Sequence, residues 1–399
     1  MFTSKLANRV SAAVIFSMLS FLTQAEDPTI LSGYNVKFSP RIDFSAMHTD
    51  NVLKAENEVS DTIANIMLSG NLNLSKKGQT IDSNFGFKTT EHLEVESEEI
   101  DDFFGGVSLL HNFSESFLVK VGLRYDDTTI ARDAIVEGDA DGRTDITTIS
   151  QSIESSYKTG KQQYKLALKR DEIDTLDTET SSIAVNKDDE DRTETDLILK
   201  GNYMLNNIFQ PSFTLSFSEI DYEDQIDDFG LERSSNVVEF LVGGSLKLGS
   251  GVDISGEIGH YYRDYNGISF ENIEAAIGNG SISMKVNDNL SAYGAFSRSF
   301  AELNIDASPG LFIDNYSSGF SYRATDKLSF DGSFSKEITK FELLDIKLKD
   351  FIKKVGCTYE FDQHYNAGLH YVDSRRVTNS SIAQPFKENA VTLDFAVAF

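Results

Sequence analysis

Three groups of side chains could do chemistry. The first is a set of cations, single or four apart, in otherwise apolar stretches: Lys37 and Arg41, Lys88, Lys120 and Arg124, Lys165 and Lys169, Lys200, and Lys247. Glu154, Glu239 and Glu257 fall in equivalent positions of their own stretches, as do Asp43, Asp82, Asp253, Asp331 and Asp394. Residues i and i+2 share one face of an extended strand, so this spacing makes rows of charge rather than a compact catalytic cluster. Rows of charge along an aqueous passage set a field and select solutes by sign. The same rows, paired with each other, would only fill and stiffen an interior, and both readings stay open.

The second group is acidic. Residues 171–196 carry eleven carboxylates, including the run Asp188, Asp189, Glu190 and Asp191, and further clusters run from Glu94 to Asp102 and through Glu137, Asp139 and Asp141. Oxygen ligands suit Ca²⁺, which could bridge such loops to one another or to anionic lipopolysaccharide. No stretch has the EF-hand pattern, and a solvated, self-repelling loop accounts for the same residues. The third group is six histidines, none at metal-ligand spacing. His48 beside Asp50 and His92 among carboxylates are the pairs to which a hydrolase site at an outer rim could be assigned. There is no Walker A loop, HExxH or GxSxG. The expectation is no catalytic residues, no enzyme, no cofactor and no metal beyond the weak acidic run.

The elements that would hold these side chains are strands. Val391, Leu393, Phe395, Val397 and Phe399 alternate with Ala390, Thr392, Asp394, Ala396 and Ala398. Side chains of a strand point alternately to its two faces, so one face is apolar and the other small or polar. The pattern recurs at Val36–Phe44, Ile66–Leu74, Phe117–Tyr125, Tyr164–Leu168, Val238–Leu248, Val252–Ile258 and Leu328–Phe334. Segments near ten residues with an apolar-out, polar-in repeat are the signature of a transmembrane β-barrel. The 29 Phe and 15 Tyr against five Pro agree with strand content, and several Tyr near segment ends suit an interfacial girdle.

Short turn-rich links fall at 76–79, 111–114, 158–161, 205–207, 249–251, 287–289, 324–327 and 361–364. Their Gly, Asn and Asp residues supply the positive-φ positions of tight turns. Between them lie longer acidic connections near 47–61, 91–101, 126–143, 171–193 and 221–233, and shorter ones near 264–267 and 341–345. Eight turns and nine opposite connections join eighteen strands, with sixteen as the alternative. The segments 268–287, where Ile273 breaks the parity, and 341–358 read poorly.

Lys5 and Arg9, the apolar run Val10–Leu22 and Thr23-Gln24-Ala25 predict a cleavable signal peptide over residues 1–25, leaving 26–399 as the barrel. No later run is long and apolar enough for a spanning helix. The net charge of −27 argues against a nucleic-acid partner. The lone Cys357 excludes an intramolecular disulfide framework.

Phe38-Ser39-Pro40-Arg41-Ile42, then Asp50-Asn51-Val52 and Ser60-Asp61 ahead of a Ser/Gly/Asn-rich strand, resemble the start of a known group. That group is the porin-like outer-membrane β-barrels associated with exopolysaccharide or capsule biosynthesis. A chain stopping on Phe399 after Phe395 and Val397 is similar to the signal by which such barrels are recognised for assembly. The resemblance implies a bacterial outer-membrane location with both termini periplasmic. Its implied partners are outer-membrane lipid and lipopolysaccharide, the barrel assembly machinery and a polysaccharide. The expected function is a passive conduit linked to exopolysaccharide export or surface handling. The alternatives are a plugged structural or adhesive barrel with cation-binding acidic loops, and a barrel hydrolase.

Overall fold

In a computed structural model, the structure describes residues 33–95, 98–130, 144–176, 178–179, 184–185, 188–227, 230–302, 308–342, 344–380 and 383–399. The expected signal segment and Glu137, Asp139 and Asp141 lie outside the described residues.

Where apolar and polar residues alternate, the chain is extended. The strands are β1 (Asn35–Thr49), β2 (Asp61–Lys76), β3 (Gln79–His92), β4 (Ile100–Asn112), β5 (Phe117–Thr129), β6 (Asp145–Thr159) and β7 (Gln162–Thr175). After a small hairpin of β8 (Thr178–Glu179) and β9 (Ala184–Val185) come β10 (Arg192–Tyr203), β11 (Phe209–Tyr222), β12 (Ser235–Leu248), β13 (Val252–Tyr265) and β14 (Ile273–Lys285). The last six are β15 (Leu290–Ala301), β16 (Leu311–Arg323), β17 (Leu328–Phe341), β18 (Lys347–Glu360), β19 (Tyr365–Thr378) and β20 (Phe386–Ala398).

Each long strand pairs antiparallel with its neighbours in sequence, β7 reaching β10 across the small hairpin. β20 returns to β1 in a register running from Arg41 opposite Ala398 to Thr49 opposite Ala390. The result is a closed antiparallel barrel of 18 strands, the number expected. Closure leaves no sheet edge, so backbone polar groups are satisfied even where the outer surface is apolar.

The register fixes the faces. Phe44 and Ile42 lie opposite Ile66 and Leu68 on one side and Phe395 and Val397 on the other. Such apolar residues make up the outer surface and remain open on it, Leu393 at 59% and Phe395 at 39%. A soluble barrel would bury them; here they form the band that faces lipid. Backbone hydrogen bonds continue to the end of the chain, the Phe399 N–H donating to the Pro40 carbonyl at 3.1 Å.

The eight short turns lie between the strands expected. Gly78 (φ 78°) and Gly160 (φ 54°) take the left-handed conformation that these tight hairpins need. The strands themselves are longer than the ten residues read from the apolar pattern, from 12 in β10 to 16 in β2. The ladder continues past the apolar band into residues with polar side chains on both faces. Asp126, Asp171, Glu172, Glu194 and Asp102, assigned from composition to acidic loops, are therefore strand residues.

At the loop end the closing seam is pinned by the motif that carries the family resemblance. Asn51, fully buried, donates from Nδ2 to the carbonyls of Ala55 (2.7 Å) and Lys387 (2.8 Å) and accepts the Ala55 N–H. The Asp50 carboxylate accepts the N–H (2.6 Å) and Nδ2 (2.7 Å) of Asn389, on β20. Thr49 donates to Glu388, and the buried Asp61 takes the Thr62 and Glu94 N–H groups and faces His92 at 2.8 Å. Burial of Asp50 opposes its charge, but the Asn389 hydrogen bonds outweigh it and hold its pKa below the usual carboxylate value. Because the folded pKa is depressed, this stabilisation is present above the ordinary value and lost as pH falls through the depressed one. Barrel stability should therefore drop below about pH 4, and Asp50→Asn should flatten that part of the profile. Thermal unfolding of the two proteins across the acid range up to neutrality measures it.

Candidate functional site

The inner face is set by the same alternation. On β1 and β3 it carries Lys37, Arg41, Asp82 and Lys88, and on β5 to β7 it carries Lys120, Arg124, Glu154, Lys165 and Lys169. Lys200 on β10, Glu239 and Lys247 on β12 and Glu257 on β13 share that face. The structure does not gather all of them. Asn84, Lys120, Arg124, Asp126, Ser152 and Lys169 line one cavity of about 690 Å³ against the β2–β7 wall. Gly106 and Gly122 keep that space open: a Cβ on Gly106 would come within 2.9 Å of Asn84 Oδ1, and one on Gly122 within 2.8 Å of Ser152 Oγ.

Several of these charges are paired. Arg124 holds Asp126 through two nitrogens at 2.5 Å, and Arg41 holds Asp43 in the same way. Lys165 meets Glu154 at 2.6 Å, Lys88 meets Asp102 at 3.3 Å, and Lys169 pairs with Asp171. Glu257 accepts hydrogen bonds from Ser212 (2.8 Å) and Thr214. Among the described residues, Lys37, Lys120, Lys200 and Lys247 have no ion-pair partner. The pairs within the wall are open to the lumen on one side. Each such cation keeps N–H donors that its carboxylate does not take.

The opposite wall differs. Ile220, Tyr222, Val237, Leu241, Tyr261, Tyr265, Phe270, Ile273, Ile277 and Phe312 form a buried cluster towards the loop end. Tyr261 stacks on Phe300 at 5.2 Å, and Tyr265 meets Phe270 at the same distance. Arg263, 1% exposed, lies over the Tyr265 ring at 4.5 Å and pairs with Glu302, which also accepts the Tyr222 hydroxyl at 3.0 Å. Arg192 lies 5.9 Å over the Tyr222 ring, so the charged wall and the aromatic wall meet there. Sequence reasoning misses this cluster. Its one visible signal is Ile273, whose broken parity reflects an apolar residue turned inward.

The remaining candidates are structural or scattered. Asp188 to Glu190 form one short 3-10 turn, and Asp191 accepts the Thr175 N–H at 2.7 Å, so it closes the base of its loop. Among the described residues no three His, Cys, Asp or Glu side chains converge as metal ligands. His48 contacts Thr62 at 3.1 Å on the outer face, whereas His92 is buried against Asp61 on the inner one, so the two do not meet. Phe395 and Val397 lie on the outer face of β20.

This barrel is similar in fold to several solved structures. OccK9 (OpdG) of Pseudomonas aeruginosa aligns with a TM-score of 0.52 at 11% identity, over 92% of this chain and 99% of that one. The BenF-like porin from Pseudomonas fluorescens Pf-5 aligns with 0.51 at 10% identity, over 92% and 99%. OccK2 (OpdF) of Pseudomonas aeruginosa, in complex with glucuronate, aligns with 0.51 at 10% identity, over 92% and 100%. No curated protein matches the chain. At such low identity these likenesses concern the fold. The family is shown separately, because residues 36–399 match the one described as "Putative beta-barrel porin 2", and the chain belongs to that porin-like family of outer-membrane barrels.

Proposed function

We propose that the protein is a passive conduit for small hydrophilic anions, with no covalent chemistry, acidic sugars being the solute class to test first. The observation that carries this is the lumenal cavity of about 690 Å³ lined by Lys120, Arg124 and Lys169, with glycines where bulk would close it. A carboxylate moving along this wall would exchange water for the guanidinium and ammonium donors. That OccK2 was solved with glucuronate bound supports the choice of an acidic sugar. The narrower reading, passage of an exopolysaccharide chain, rests on the resemblance of the Phe38–Asp61 segment alone. In this proposal the loop end faces outward, both chain ends face the periplasm, and the assembly machinery recognises β20.

A second reading is favoured by one observation. The aromatic cluster and its Arg263–Glu302 pair fill the loop end of one wall, as in a plugged surface barrel. Conductance of the refolded full-length protein in planar bilayers separates the two. Stable steps, an anion-selective reversal potential and block by glucuronate or acidic oligosaccharides support the conduit. A folded but silent barrel would leave the plugged reading standing.

A further inference from the structure

The outer surface beyond the apolar band is charged with opposite signs on its two sides. On β3 to β14 the outward residues there include Glu91, Asp101, Asp127, Asp145, Glu219 and Asp264. On β17 to β20 the outward charges are cations except for Asp373. In cross-strand register, Lys336 lies opposite Phe351, Phe351 opposite Arg375, and Arg375 opposite Lys387. One row towards the loops, Ile338 lies opposite Lys349, and beyond that Lys340 lies opposite Lys347. One row towards the band, Phe334 lies opposite Lys353 and Lys353 opposite Asp373. These residues share the face of Phe330, Val355, Tyr371 and Leu393, which belong to the lipid-facing band.

Two carboxylates touch this patch. Asp373 is 3.4 Å from Lys353, and Asp314 is 3.1 Å from Lys340. Lys336, Lys347, Lys349 and Arg375 have no ion-pair partner among the described residues, and Lys387 acts on Asp50 at longer range than an ion pair. Lys336 instead lies 5.7 Å over the Phe351 ring, at the edge of the band. Strands are about 5 Å apart and alternate residues about 7 Å apart, so the cations form a grid roughly 15 Å on a side. In a chain of net charge −27, cations collected on one outward face at the band edge make a site complementary to a polyanion.

We propose that this face binds the phosphate groups of lipopolysaccharide. The inference rests on the reading that the loop end is outermost. The bound molecule must place acyl chains on the band below and several phosphates immediately above it, where long basic side chains reach them. The acidic rim of β3 to β14 would repel the same headgroups, so the lipid is held on one side of the barrel.

The test uses the full-length protein in detergent with purified lipopolysaccharide as the probe, and native mass spectrometry as the readout. The wild type should bind at least tenfold more tightly than a K336Q/K349Q/R375Q/K387Q variant, while K336R/K349R/R375K/K387R binds as the wild type does. Dephosphorylated lipopolysaccharide should bind both equally weakly. Equal binding by wild type and the neutral variant overturns the proposal. So does equal binding of phosphatidylglycerol, or loss of a dimer rather than of lipid in the neutral variant. Circular dichroism and heat-modifiability confirm that each variant is folded. Anion conductance should be unchanged in all of them, which keeps this result separate from the conduit. An epitope inserted at Glu56 and probed on intact cells tests the orientation by itself.

Discussion

Replacing Lys120, Arg124 and Lys169 together with glutamate is expected to turn an anion-preferring conductance into a cation-preferring one. All three side chains line one cavity, and the partners of Arg124 and Lys169, Asp126 and Asp171, stay in place. A unit charge about 4 Å from an ion is worth about 1 kcal/mol in water, and much less beyond the screening length of about 8 Å in physiological salt. Reversing a sign doubles each contribution. Three reversals should move the anion-to-cation balance by on the order of 2 kcal/mol, more than tenfold in permeability ratio. The reversal potential in a salt gradient reads this directly. An unchanged potential from a folded variant would mean that ions do not pass this wall. The same three substitutions set new carboxylates beside Asp126 and the buried Asp171, so a loss of thermal stability is expected with the change in selectivity, and heat-modifiability checks that the variant is folded.

The second large effect should come from Asn51→Leu. Asn51 is fully buried and bridges the first loop to β20 through the Lys387 carbonyl. Leucine is close in volume but leaves the Ala55 and Lys387 carbonyls and the Ala55 N–H without this partner. Each buried polar group stripped of its hydrogen bond costs about 1–3 kcal/mol, so a loss of roughly 3 kcal/mol is expected in all. It should appear as a lower temperature of conversion from the compact to the unfolded band on electrophoresis. Asn51→Asp keeps the acceptor but aims a buried carboxylate at the same two carbonyls, so it should cost at least as much as Asn51→Leu. Unaltered conversion in Asn51→Leu would show that the seam is held elsewhere.

Much of this architecture is legible in the amino-acid sequence. The eighteen strands follow from alternation and from turns whose residues are chemically constrained, such as Gly78 and Gly160. Alternation also puts Lys120, Arg124 and Lys169 on one face, because Val119, Val121, Leu123, Leu166 and Leu168 lie on the other. Strand length is harder to read, since the ladder outlasts the apolar band and its polar extensions resemble loops in composition. The aromatic interior is hidden for a different reason. Tyr261, Tyr262 and Tyr265 give the loop end of β13 aromatic side chains on both faces, so periodicity no longer separates inside from outside. The seam contacts are hidden too, because Asp50 and Asn389 are joined by a closure that no local pattern encodes.

That closure also sets an order of events. Every pairing of long strands in the barrel joins neighbours along the chain, except β1 with β20, whose partners lie almost the whole chain length apart. Hairpins between neighbours form after short searches, whereas this pairing must wait for all the others and for the diffusion of two distant strands. The last contact made is therefore the one that Asp50, Asn51 and Asn389 lock. The distant search makes closing slow, and a latch formed only after it slows reopening, so the lifetime of the finished barrel is governed at the seam more than by the average strength of its wall.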